Sequence, residues 1–171
     1  MSSTPGRRQF ARSFIGLGLG AAWAMGRGLT PAYADESALP IPDSLPEVAA
    51  AAARLGEPLV LLISLARCPY CELVRRNYLL PARQQGVAAW QINMGDRLRV
   101  LVGFDGQASH AAEQISRWKV RLAPTVLFLD PRGQELAERL RGIASVDFYG
   151  AYLDERLALA RQALRSARPR S

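Results

Sequence analysis

Only two cysteines, Cys68 and Cys71, and a single histidine, His110, occur in the 171 residues. Two thiols cannot staple a small disulfide-framed fold, and with one imidazole they cannot complete a four-ligand zinc site. No apolar run reaches the roughly 20 residues that a spanning helix needs, which excludes a multi-pass membrane protein. Residues 1–34 contain no aspartate or glutamate and carry four arginines instead. Apolar residues make up 49% of the chain. That is enough to bury a core, so wholesale disorder is excluded. At about 150 residues per domain, the length bounds the answer to one compact domain and a tail.

The acid-free segment reads as an export signal. Arg7, Arg8 and Arg12 precede an apolar, glycine-rich stretch from Phe14 to Gly26, followed by the small-x-small site Ala32-Tyr33-Ala34. This basic, apolar and cleavable order predicts removal after Ala34 and residence in the periplasm. Arg7-Arg8-Gln9-Phe10-Ala11-Arg12 resembles a twin-arginine signal, with Ala11 where leucine is common. The general secretory route and an uncleaved anchor are the alternatives. Gly16-Leu17-Gly18-Leu19-Gly20-Ala21 matches a dinucleotide-binding pattern on paper, but that motif must follow a strand and none precedes it.

Removing the leader changes the charge. The formal +7 falls to +3, and four more arginines lie in the last eleven residues, leaving 14 bases and 15 acids over residues 35–160. A nucleic-acid-binding domain needs a basic balance in its folded part, so no nucleic-acid partner is expected.

Residues 35–44 read as a proline-containing linker and residues 45–171 as the domain. A helix is expected from Leu45 to Leu55, with Asp43-Ser44 as cap candidates and Pro46 in its first turn. The continuous apolar run Leu59–Leu65 predicts a strand covered on both faces. A helix from Glu72 to Leu80, bent or ended by Pro81, and a strand over Val87–Asn93 follow. Leu98–Val102 is ambiguous, and Ser109 is a candidate cap for a helix reaching Lys119. Thr125–Leu129 predicts a third strand, turned by Asp130-Pro131-Arg132-Gly133 into a hairpin partner over Glu135–Arg141. The final helix, Ser145 to Arg165, sets Phe148, Tyr152, Leu153, Leu157, Leu159 and Leu164 broadly on one side. Alternation of helix and strand implies an α/β domain with parallel strands and an antiparallel edge strand.

The chemistry lies in Cys68-Pro69-Tyr70-Cys71, between a strand end and a helix start. There the helix dipole and unpaired N–H groups favour a thiolate at Cys68, and Arg67 adds positive charge. Cys71, one turn on, is suited to resolving a mixed disulfide. A structural disulfide across so short a loop gains little stability. A zinc half-site lacks its other ligands, and a c-type haem site needs histidine where Glu72 stands. Neither metal nor cofactor is expected. His110 reads as a surface or capping residue, Trp90 and Trp118 as core or groove aromatics, Tyr70 as a rim residue, and Glu72–Arg75 as a solvated pair. Asn93 is at a strand end and is not placed.

On these residues the chain resembles the thioredoxin superfamily over 45–165. Cys68-Pro69-Tyr70-Cys71 is the glutaredoxin dipeptide pattern, while Leu122-Ala123-Pro124-Thr125 through Gly133 looks like the segment after the catalytic helix of thioredoxin. The resemblance implies a thioredoxin-like fold, a central mixed sheet flanked by helices, with Pro124 cis and Ala123 offering backbone groups to a substrate strand. The whole is most similar to periplasmic thioredoxin-like proteins, including those associated with sulfur-oxidation systems. Arg67 replaces the usual tryptophan, and Leu62 stands at the place of a buried acid. The expectation is a thiol–disulfide oxidoreductase whose partners are protein disulfide substrates and a membrane thiol-reductase donor. A disulfide oxidase or isomerase using the same pair, and a non-catalytic peptide-binding module, are its rivals.

Overall fold

The computed structural model describes residues 38–167. The leader read over residues 1–34 lies outside them, as do residues 35–37 of the linker. The elements in chain order are α1 (Leu45–Arg54), β1 (Leu59–Ser64), α2 (Pro69–Val74), a π-helical turn (Arg75–Leu79), α3 (Leu80–Gln84), β2 (Ala89–Asn93), β3 (Val100–Val102), β4 (Ala108–His110), α4 (Ala111–Arg117), β5 (Thr125–Leu129), β6 (Leu140–Arg141) and α5 (Val146–Ser166).

A four-stranded sheet in the order β2-β1-β5-β6 organises the domain. β1 and β2 run parallel, joined by the α2–α3 crossover. β5 lies antiparallel to β1, and β6 antiparallel to β5. The sheet is mixed, with a single parallel pair rather than the parallel half expected from alternation. The reason is the route between β2 and β5. The chain passes through a separate β3–β4 hairpin and α4, and so re-enters beside β1 from the opposite end.

The continuous apolar strands divide their side chains between two cores, as a period of two requires. Val60 and Leu62 of β1, with Val126 and Phe128 of β5, pack beneath Val74, Leu79 and the α5 residues Tyr149, Leu153 and Leu157. Leu59, Leu61 and Ile63, with Leu127 and Leu129, meet Leu45 and Ala49 of α1 and Ala111 and Ile115 of α4.

Several local expectations are corrected. The linker is docked from Leu39 onward: Leu39 is buried, and the Pro40 carbonyl accepts from the Gln91 N–H at 2.9 Å. Pro81 does not end the helix at Leu80. The widened turn before it, in which the Leu80 N–H reaches the Arg75 carbonyl, lets the helix continue to Gln84. Of the ambiguous stretch Leu98–Val102, Val100–Val102 form β3, and Ser109 is in β4 rather than capping α4. His110 holds the cap position without a side-chain capping bond. Ser44 does cap α1, accepting from the Glu47 N–H at 3.4 Å. β6 covers only Leu140–Arg141, preceded by an isolated bridge between Leu129 and Glu135. The buried stripe of α5 is Tyr149, Leu153, Leu157, Ala160 and Leu164: Leu153, Leu157 and Leu164 face inward as expected, while Phe148, Tyr152 and Leu159 are exposed and Tyr149 and Ala160 take their place in the core.

Two substitutions test this packing. The buried Tyr149 hydroxyl has no hydrogen-bond partner among the described residues, while its ring lies 4.8 Å from that of Tyr78. Tyr149→Phe is expected to stabilise the protein by about 1 kcal/mol in urea unfolding, because it removes an unsatisfied buried group. Burial also pushes the Tyr149 hydroxyl well above the usual tyrosine range. Folding thus favours the neutral phenol. The stability tied to it is intact below the ordinary tyrosine pKa of about 10 and falls as pH rises beyond that value. Midpoints of the wild type should drop above that pH more steeply than those of Tyr149→Phe.

At the hairpin after β5, Gly133 has φ +79°, and a Cβ there would sit 2.6 Å from the Phe104 ring. Gly133→Ala should cost about 2 kcal/mol in the same assay, since backbone strain and steric overlap add.

Candidate active site

The site forms at one end of the sheet. Ser64, the last residue of β1, pairs with Asn93 of β2. On the other side Ile63 pairs with Thr125, and Thr125 with Arg141. The loop that leaves β1 carries Cys68, and Pro124 immediately precedes β5, so topology brings both to the same end.

Cys68 is the N-cap of α2 in an extended conformation, and its Sγ accepts from the Cys71 N–H at 3.1 Å. Pro69 occupies the first helical position, where a missing N–H costs nothing. The two cysteines are joined as a disulfide with their Cα atoms 5.2 Å apart. Their environments differ: Cys71 is 1% exposed, whereas Cys68 is partly open to solvent. Tyr70 stands out at 61% exposure on the rim. Arg67 is exposed in the left-handed region at φ +56°. An arginine held there is strained, a feature that clusters at functional sites. The Ala123–Pro124 peptide bond is cis; the Pro124 carbonyl accepts from the Gly142 N–H at 2.8 Å and the Leu122 carbonyl from Thr125 Oγ1 at 2.7 Å. Leu62 is fully buried, so its position carries no carboxylate toward the pair.

Arg75 is not half of a solvated pair. Its side chain is only 15% exposed. Its Nε donates to Gln91 Oε1 at 2.7 Å and its Nη2 to Ser64 Oγ at 2.9 Å, while Nη1 engages Glu72. Gln91 in turn donates to the Leu39 carbonyl at 2.7 Å. One guanidinium thus ties the cysteine-bearing helix to β1, β2 and the docked N-terminal segment. Arg76 takes the other Glu72 oxygen. The acid nearest the motif in sequence is therefore neutralised by two bases, which limits its opposition to a thiolate at Cys68. A signal for Arg75 exists in the sequence: it is four residues after Cys71, on the stripe that also bears Val74 and Leu79. A cleft of about 420 Å³ opens beside Cys68, bounded by Leu65, Arg67, Glu72, Arg75 and Asn93. Asn93 thereby joins the site. Trp90 stays outside it, half-buried with Arg83 5.3 Å from its ring centroid, and Trp118 packs edge-on against Phe104. No group of three or more potential metal-ligating side chains occurs among the described residues.

A mixed sheet with helices on both faces and a Cys-x-x-Cys pair at a helix start defines a dithiol protein of thioredoxin-like fold. Residues 45–156 match the family model described as thioredoxin-like domain, and the chain belongs to that family. A solved thioredoxin-fold protein from Helicobacter pylori is similar at 18% identity, with 66% of this chain and 84% of that chain covered and a TM-score of 0.38. No curated protein matches the chain.

Proposed function

We propose that the protein is a periplasmic thiol–disulfide oxidoreductase that reduces disulfides in substrate proteins. The observation that carries this reading is the asymmetry of the pair: a partly exposed Cys68 at a helix start and a buried Cys71 one turn on. In the reduced protein the Cys68 thiolate attacks one sulfur of the substrate disulfide. A Cys68–substrate disulfide forms, the substrate S–S bond breaks, and the departing thiolate takes a proton. Cys71, as thiolate, then attacks the Cys68 sulfur. The Cys68–Cys71 disulfide forms and the second substrate thiolate leaves to be protonated. Two electrons and two protons have passed to the substrate. A membrane thiol reductase returns them. Arg67 favours the Cys68 thiolate, Ala123 and Pro124 receive the substrate strand, and Pro69 and Tyr70 border it.

Export follows from the leader. The Arg7-Arg8 pair directs the chain through the twin-arginine route, and cleavage after Ala34 releases it.

The deciding experiment is the equilibrium reduction potential in glutathione buffers, with free thiols counted by mass spectrometry. A value near about −270 mV is expected for a reductant. A value between about −120 and −180 mV would assign the pair to oxidation or isomerisation instead. A pair that never exchanges would leave peptide binding as the function.

A further inference from the structure

Between residues 35 and 160 the charges nearly cancel, yet they are not evenly spread. A second cleft, of about 260 Å³, is lined by Lys119, Arg121, Leu122, Thr125, Arg139 and Arg141. Every ionisable group in that lining is basic. Arg139 is committed: it pairs with Glu135 and donates to the Trp118 carbonyl at 2.9 Å. Lys119, Arg121 and Arg141 are exposed and make no ion pair among the described residues. Lys119 adopts φ +54°, a left-handed conformation uncommon for a side-chain-bearing residue.

The position of this cleft gives it meaning. Leu122 and Thr125 bracket Ala123–Pro124, and Arg141 pairs with Thr125 across the β5–β6 ladder. Two strand spacings, about 10 Å, separate β6 from β1, whose end leads into Cys68. Arg67, immediately before Cys68, is a further exposed cation, and Glu72 is already held by Arg75 and Arg76. An extended substrate lying along Ala123 would carry its flanking side chains over a cationic surface.

We propose that the Lys119–Arg121–Arg141 cleft docks acidic residues flanking the disulfide of a protein substrate. This rests on the reductase reading above and names its substrate class. The electron balance is unchanged, with two electrons and two protons passing from the Cys68–Cys71 dithiol to the substrate. The cleft acts on encounter and binding.

The test uses the protein pre-reduced with dithiothreitol and freed of it, so that one turnover needs no added reductant. Three synthetic peptides share one internal disulfide and differ only in flanks of Asp-Glu, Ser-Gly or Lys-Arg. At about 50 mM NaCl the acidic peptide should react at least about tenfold faster than the basic one, and at about 0.5 M the gap should collapse. Reversing the cleft with Lys119→Glu, Arg121→Glu and Arg141→Glu should invert the order, a gain for the basic peptide that misfolding cannot produce. Equal rates for the three peptides would overturn the assignment, as would an unchanged order in the reversed variant. Equal rates with retention of the protein on phosphatidylglycerol vesicles would assign the cleft to a membrane surface and overturn it likewise. Hydroxyethyl disulfide, small and uncharged, separates the two layers of the argument. If the wild type reduces it while showing no peptide preference, the cleft assignment alone fails. If it reduces neither that compound nor any peptide, the reductase reading fails with it.

Discussion

Cys68→Ser is expected to lower disulfide exchange by at least about 10³-fold, because it removes the sulfur that forms the first covalent bond. Cys71→Ser should fail one step later. Attack by Cys68 still occurs, but nothing releases the mixed disulfide, so a covalent adduct of protein and substrate accumulates. Non-reducing electrophoresis and intact-mass measurement after mixing with a disulfide-bonded protein distinguish the two. An adduct with Cys71→Ser and none with Cys68→Ser is the expected pattern. The reverse would assign attack to Cys71, against its 1% exposure. Full activity in Cys68→Ser would leave the peptide-binding reading in place of catalysis.

Phe128→Ala is expected to destabilise the protein by about 3–5 kcal/mol, a large share of the 5–15 kcal/mol typical of a domain. Phe128 is fully buried in β5, packed in the core beneath α5. β5 is interior to the sheet, with β1 on one side and β6 on the other, which leaves little freedom to collapse around a lost ring. Urea unfolding should show a lower midpoint with little change in slope. Leu159→Ala, at a residue 44% exposed on α5, should lie within about 0.5 kcal/mol of wild type. A loss of comparable size at both positions would mean that α5 is packed with its other face inward.

Local signals made β1, β5 and the cysteine loop legible. Six and five consecutive buried residues leave a mark in the sequence that no neighbour has to explain. The motif was readable because its chemistry depends on a spacing of three. Elements whose existence depends on distant partners were harder. β3 and β4 are three residues each and are held by one another and by the bridge from Ser44 to Val102. On α5 the sequence pattern identifies Leu153, Leu157 and Leu164 but not the rest of the stripe, because Phe148 and Tyr152 are large and apolar yet exposed, whereas the small Ala160 is buried. For Arg75 the helical spacing to Glu72 suggests a solvated pair, and nothing local indicates that Ser64 and Gln91 meet its other nitrogens. The cationic cleft depends on the β5–β6 ladder, which brings Arg141 beside Thr125 and so beside the segment carrying Lys119 and Arg121.

The docked segment at Leu39–Pro40 has a bearing on self-association. β2 is an outer strand of the sheet, and an outer strand with free N–H and C=O groups invites another chain to add to it. Here Pro40 and Leu39 accept from the backbone and side chain of Gln91, in the middle of that strand. The opposite outer strand, β6, is two residues long and bears the charge of Arg141. Both borders are thus poor templates for a second copy, and Cys68 and Cys71 lie beyond the end of β1 rather than along either border.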